Sequence, residues 1–233
     1  MEGDISYRAI LFIIAWFLQM GFHEGGHAYA AYQEGDDTSY LLGKRSINPL
    51  AHIEWNNFNS VLMSVIFPCI TAIGGMVPMG MASVPVNPRR MKRQEKSMAW
   101  VSFAGPLGNF ILMVACLLLH FLTNFLPYTN LERTLYHTGS MQWSFGGMVW
   151  MFDQLLFSVY LTSMVYALFN LVPIPPLDGS KVLRYFLPRE GKNMIDQIAP
   201  YGFTIIMIVF WVGNGGVILN KPIEFFARLW GSI

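Results

Sequence analysis

The chain has 233 residues, 54% of them hydrophobic and only 12% charged, with a formal net charge of +1. Soluble domains carry about a quarter charged residues, so this composition excludes an ordinary water-soluble globule. The net charge argues nothing about nucleic acid, but there is no basic, aromatic-interleaved patch of the kind nucleic acids need, so no nucleic-acid partner is expected.

Five stretches are long and apolar enough to cross a hydrocarbon core, which takes about 20 residues as a helix: 5–31, 60–81, 98–126, 148–172 and 201–219. The first is expected to stay in the mature protein. Glu2 and Asp4 precede it, Arg8 is its lone basic residue, and no small-residue cleavage site follows. The second is interrupted by Pro68, Gly74, Gly75 and Pro78. Breakers at membrane depth are tolerated only where protein or a water-filled cavity covers the backbone. The fold class expected is therefore an all-α polytopic membrane protein, organised as a single domain over residues 1–233. Cys69 and Cys116 both lie in apolar stretches and read as packing thiols rather than a disulfide.

Four polar segments separate these stretches. Residues 33–59 hold Asp36, Asp37, Lys44, Arg45 and His52, while 87–96 is basic, with Arg89, Arg90, Lys92, Arg93 and Lys96. Residues 127–147 carry one arginine, Arg133, and 178–200 carry Lys181, Arg184, Arg189 and Lys192. The excess of cations places the second and fourth in the cytoplasm and the third outside. The basic loop also suits anionic lipid headgroups; docking of acidic substrate tails is its other reading. Residues 222–230 are expected to form a short amphipathic helix at the outer surface, with Phe225, Phe226, Leu229 and Trp230 toward lipid.

The run His23-Glu24-Gly25-Gly26-His27 is an H-E-x-x-H pattern. Residues four apart share one face of a helix, so two imidazoles at this spacing can reach one Zn²⁺. The intervening glutamate can then take a proton from a water that the metal acidifies. The bland alternative is a pair of helical histidines satisfied by their neighbours. Against it, ionisable groups in a membrane segment are costly and point to function. Gly25 and Gly26 each cost about 1 kcal/mol in a helix relative to alanine, which close packing or substrate access would explain.

A catalytic zinc site usually takes three protein ligands and keeps one position open. His52, His120, His137 and the acids are candidates for the third. Asp178 is the best of them, in Asn170-Leu-Val-Pro-Ile-Pro-Pro-Leu-Asp178-Gly179. Prolines there stop a helix and Gly179 permits a sharp turn, setting a carboxylate at the end of a membrane segment.

The chain resembles the site-2 protease family of intramembrane metalloproteases, in its short bacterial branch. Phe22 to His27 resembles the first zinc motif, and Asn170 to Gly179 resembles the N-x-x-P-x-x-P-L-D-G motif. Ala104 to Asn109 resembles the A-G-P-x-x-N segment, and Ser46 to Glu54 and Pro85 to Arg89 resemble loops of that branch. The resemblance implies one Zn²⁺ held by His23, His27 and Asp178, with Glu24 as catalytic base. It implies a core of three helices with zinc near the cytoplasmic face. Substrates would be transmembrane or membrane-associated proteins in a lipid bilayer, in a prokaryotic plasma membrane. Gly25-Gly26 departs from many relatives, which carry a larger residue before a small one, and no PDZ or CBS domain is seen.

Asp178 must meet the histidines at one depth, so the first helix should run from outside to inside. Residues 33–59 and 87–96 then lie on one side, and 60–81 must re-enter, giving about four spans plus one re-entrant element. Asn109 and Asn170 are expected as donors to the scissile carbonyl or its oxyanion, with interhelical bonding as the alternative. An edge strand near 82–86 could hold an extended substrate by strand addition. His52 and Glu54 read as a solvated or packed loop pair, and His120 and His137 show no partner pattern. Two non-enzymatic readings compete: a catalytically silent homologue that binds membrane proteins, and a metal transporter with ligands strung along a path.

Overall fold

The computed structural model describes residues 2–124, 145–209 and 216–231, and all regular structure among them is helical. The principal helices are α1 (Glu2–Gln33), α2 (Thr38–Leu41), α3 (Phe58–Ile73), α4 (Gln94–Asn124) and α5 (Phe145–Asn170). They are followed by α6 (Asp178–Phe186), α7 (Arg189–Ile198), α8 (Gly202–Met207) and α9 (Gly216–Gly231). Three of these, within α1, α4 and α5, are long and apolar enough to cross a membrane.

Those three pack mutually and form the core. Their inward faces bury Gln19, His23, Glu24, Asn109, Thr162 and Ser163, while Ile10, Ile14, Leu18, Phe110, Leu118 and Leu122 are exposed. In water this arrangement would be inside out. It fits a bilayer, where lipid covers apolar side chains and polar ones must find partners within the bundle.

The 60–81 segment doubles back on itself. Helix α3 has 16 residues, too short to cross a hydrocarbon core, which takes about 20. A π-helical stretch, Leu62–Ile66, lies within it. Gly75 then adopts φ +78°, and the chain returns so that the Met81 N–H bonds to the Met63 carbonyl at 3.0 Å. Further on, Ser39 Oγ donates to the Pro85 carbonyl and the Asn87 N–H to Asp36 Oδ2 at 2.6 Å. The return therefore finishes beside the residues that follow α1, as a re-entrant element requires.

Other expectations are corrected. No strand is present among the described residues, so 82–86 is not an edge strand; Ala82 and Val86 pack instead onto hydrophobic clusters on either side. The C-terminal helix does not turn Trp230 to lipid. That indole is buried against His120, Phe157 and Tyr160, because α9 packs on α5, whereas Phe225 remains exposed. The proposed span at 201–219 begins with the short α8, and its continuation through 210–215 lies outside the described residues. The 178–200 segment is two amphipathic helices, α6 and α7, rather than a loop.

The 33–59 segment packs against the bundle. It folds back along α1, where the Ser46 and Ile47 carbonyls press on the backbone at Gly25 and Gly21. Ile53 joins Trp16 and Met20 in a buried cluster. Lys44 Nζ pairs with Glu54 Oε1 at 3.0 Å, and the Arg45 guanidinium lies over the rings of Tyr32 and Tyr40 at 4.1 and 4.6 Å.

Candidate metal centre

His23 and His27 project from one face of α1, as their spacing dictates. Asp178 arrives from the first turn of α6, after the chain leaves α5 through a proline-rich turn that excludes helix until Leu177. Gly179 permits this approach, because a Cβ there would collide with the Leu171 carbonyl. All three side chains are buried.

Three ligand atoms converge. His23 Nε2 and His27 Nε2 are 3.2 Å apart, and Asp178 Oδ2 lies 3.3 Å from the first and 3.2 Å from the second. Tetrahedral zinc with bonds of about 2.0–2.1 Å would separate its ligands by about 3.3–3.4 Å, so the triangle fits the ion without rearrangement. It is the one such group of three among the described residues.

The surroundings fix the tautomer of His27. His27 Nδ1 lies 2.7 Å from the Val101 carbonyl, which can only accept, so Nδ1 carries the proton and Nε2 offers its lone pair to a metal. Pro106 interrupts the helical ladder of α4 in this region. His23 Nδ1 lies 3.2 Å from the Asn109 amide, which also reaches Gln19 Oε1 at 3.2 Å. A metal on His23 Nε2 would make Nδ1 a donor, and the Asn109 oxygen, buried and otherwise unbonded, would turn to accept it.

The glycines explain themselves by contact. A Cβ on Gly25 would lie 2.8 Å from the Ser46 carbonyl oxygen, and one on Gly26 would strike that of Ala104 on α4. On the facing helix, a Cβ on Gly105 would strike the ring of His27. The helix-propensity cost of Gly25-Gly26 is thus offset by an approach close enough to bring α4 onto the histidines.

Glu24 is buried between the two ligands in sequence, and its Oε2 has no hydrogen-bond partner among the described residues. An acceptor left unmet at such depth is costly, and a base waiting for a water proton has that form. Asn109 is thus brought to the centre, with its amide committed to His23. Asn170 is the last residue of α5 and donates to the Tyr166 carbonyl of its own helix at 3.1 Å. His137 lies outside the described residues.

A second buried pair escaped the sequence reading. His120 Nδ1 and Asp153 Oδ1 are 2.5 Å apart between α4 and α5, with the imidazole stacked on Trp230 at 4.0 Å. No periodicity marks two residues on separate helices as neighbours. An acid in an apolar helix was the available signal, and Asp153 is one.

Comparison with known proteins agrees with the geometry. The model of peptidase family M50 matches residues 11–213. A Bacillus subtilis protein named "Putative zinc metalloprotease YwhC" is 30% identical over 216 residues, 92% of this chain and 84% of that protein. "Putative zinc metalloprotease Rip2" of Mycolicibacterium smegmatis is 28% identical over 86% of this chain and 66% of its own length. Its Mycobacterium tuberculosis namesake is 26% identical over the same shares. No solved structure matches.

Proposed function

Because the chain belongs to peptidase family M50, the site-2 protease family, and is a zinc metalloprotease of that type, we propose that it hydrolyses peptide bonds within or near transmembrane segments of membrane proteins. The observation that carries this reading is the buried triangle of His23, His27 and Asp178 with Glu24 beside it, set among helices that present apolar surface outward.

In this reading His23, His27 and Asp178 hold one Zn²⁺. When bound, zinc supplies Lewis acidity, lowering the pKa of a coordinated water toward about 7 and polarising the scissile carbonyl. Glu24 takes the proton of the attacking water and returns it to the leaving amine. Its buried carboxylate, with Oε2 free of hydrogen-bond partners among the described residues, is open to accept that proton. Asn109 orients His23 through its ring nitrogen, and Asn170 donates to the oxyanion as the carbonyl becomes tetrahedral. A helical substrate must unwind first, because its carbonyls are otherwise bonded within the helix.

The cations of 87–96, Lys181, Arg184, Arg189 and Lys192 support a reading in which the metal end faces the cytoplasm. Arg184 reaches Asp196 and Glu95, and Lys192 reaches Glu95, which ties the 178–200 segment to the start of α4.

Co-expression with tagged single-span proteins, wild type against Glu24→Gln with zinc assayed, tests the proposal. Cleavage lost with zinc retained is the expected result. Equal cleavage by the two forms would refute it, and a zinc-loaded wild type that cuts no substrate would favour a silent binding homologue.

A further inference from the structure

His52 lies in the segment that folds back along α1 and is 1% exposed. It ends a short 3-10 turn, Pro49–His52, whose start is fixed by Asn48 accepting from the Leu50 N–H at 3.1 Å. Its ring is pinned from one side. Nε2 lies 2.8 Å from the Ser46 carbonyl, which can only accept, so Nε2 carries the proton. The neutral ring then has a lone pair on Nδ1, and burial keeps it neutral by lowering its pKa. That Nδ1 is buried and bonds to nothing among the described residues.

The position of the ring is set by three contacts with α1. The Ser46 carbonyl that His52 holds abuts Gly25, the neighbouring Ile47 carbonyl abuts Gly21, and the adjacent Ile53 packs on Met20. Met20 and Glu24 are one turn apart on the same face. His52 accordingly sits beside the turn that carries Glu24. Two buried acceptors therefore share one neighbourhood unmet: His52 Nδ1 and Glu24 Oε2. Two acceptors cannot satisfy each other. A guest with two donors satisfies both, and one water molecule offers two O–H groups.

We propose that His52 is a positioning residue for the catalytic base: its Nδ1 and Glu24 Oε2 accept the two hydrogens of one bridging water, which holds the Glu24 carboxylate with its other oxygen toward the reacting water. The inference rests on the protease reading. It assigns a function to a loop histidine that composition marks only as packed or solvated, and it explains why the segment is drawn so tightly against Gly21 and Gly25.

The two ring nitrogens can be tested separately. His52→Gln keeps a donor for the Ser46 carbonyl and loses the Nδ1 acceptor. His52→Asn places an oxygen near the Nδ1 position and loses the Ser46 bond. The full chain, in proteoliposomes with a fluorescent single-span reporter, is assayed for kcat, KM and bound zinc, with Glu24→Gln as reference. The expected result is that His52→Gln lowers kcat about 10- to 100-fold at unchanged KM and zinc content, and that His52→Asn recovers most of the loss. Three results would overturn the proposal: His52→Gln turning over within twofold of wild type, activity falling only in step with zinc or folded protein, or His52→Asn being the more impaired of the two. Wild-type cleavage surviving Glu24→Gln would instead sink the protease reading itself.

Discussion

Among the described residues are two buried clusters of histidine and carboxylate, and they differ in kind. At one end of the bundle, three ligand atoms from α1 and α6 converge within 3.3 Å, and Glu24 beside them keeps an unmet oxygen. At α4 and α5, His120 and Asp153 form a short pair under the ring of Trp230. Both place ionisable groups among apolar helices, where such groups are costly. What separates them is donor number and unfinished bonding. A pair completed by its own partners binds helices together. A set of three, each oriented from behind by Val101, Asn109 or the turn at Gly179, with an acceptor left open beside it, has the donors that could hold a metal ion.

The comparison makes graded predictions. The largest effect is expected at the ligands: His27→Ala or Asp178→Ala should abolish both zinc binding and cleavage, because two ligands do not make a catalytic site. Metal analysis of purified protein checks the first and reporter cleavage the second. Next, Glu24→Gln should reduce cleavage by about 100-fold or more while leaving zinc stoichiometry at the wild-type level, as read in the same two assays.

At the other cluster the order reverses. Asp153→Ala should destabilise the bundle by about 3–5 kcal/mol, the usual cost of orphaning one member of a buried pair. The zinc content of the folded fraction should not change. Thermal unfolding in detergent, followed by metal analysis of the surviving fraction, separates the two effects. Zinc lost along with the pair would erase the distinction between the clusters.

A smaller loss is expected where α1 meets α4. Gly26→Ala forces a methyl group against the Ala104 carbonyl, and overpacking of this kind costs about 1–3 kcal/mol. Because Gly26 adjoins His27, zinc affinity should fall as well, which competition with a chelator measures.

The smallest effect lies at the end of α1. Glu34 accepts from the Ser97 hydroxyl and from Arg93 at 2.7 Å, and these partners, Ser97 first, hold its carboxyl below the ordinary value of 4.5. A depressed folded-state pKa means stability that is present above 4.5 and lost as pH falls through the lower folded value. Wild type should therefore lose more stability than Glu34→Gln on acidification across that window, in paired unfolding curves at pH 7 and pH 4.

Much of the centre was legible from sequence because its signals are local. Four-residue spacing on one helix fixes His23 and His27 without tertiary information, and Pro173 to Gly179 announces a broken end that can carry Asp178. Breakers in 60–81 foretold its return. What escaped depends on contacts between distant residues. His120 and Asp153 are 33 positions apart, and a helix's own periodicity does not say which neighbour covers Trp230. His52 lay in a polar stretch, and polarity suggests solvent. Its burial follows from Gly21 and Gly25, whose meaning appears only once the Ser46–Ile47 backbone lies upon them.

X-ray absorption at the zinc edge of the purified full-length protein tests the central claim most directly. The account predicts one zinc per chain with a first shell of nitrogen and oxygen only, at about 2.0–2.1 Å, including two imidazoles, and loss of the bound metal in Asp178→Ala. Zinc with a sulfur ligand, or zinc bound undiminished in Asp178→Ala, would contradict it.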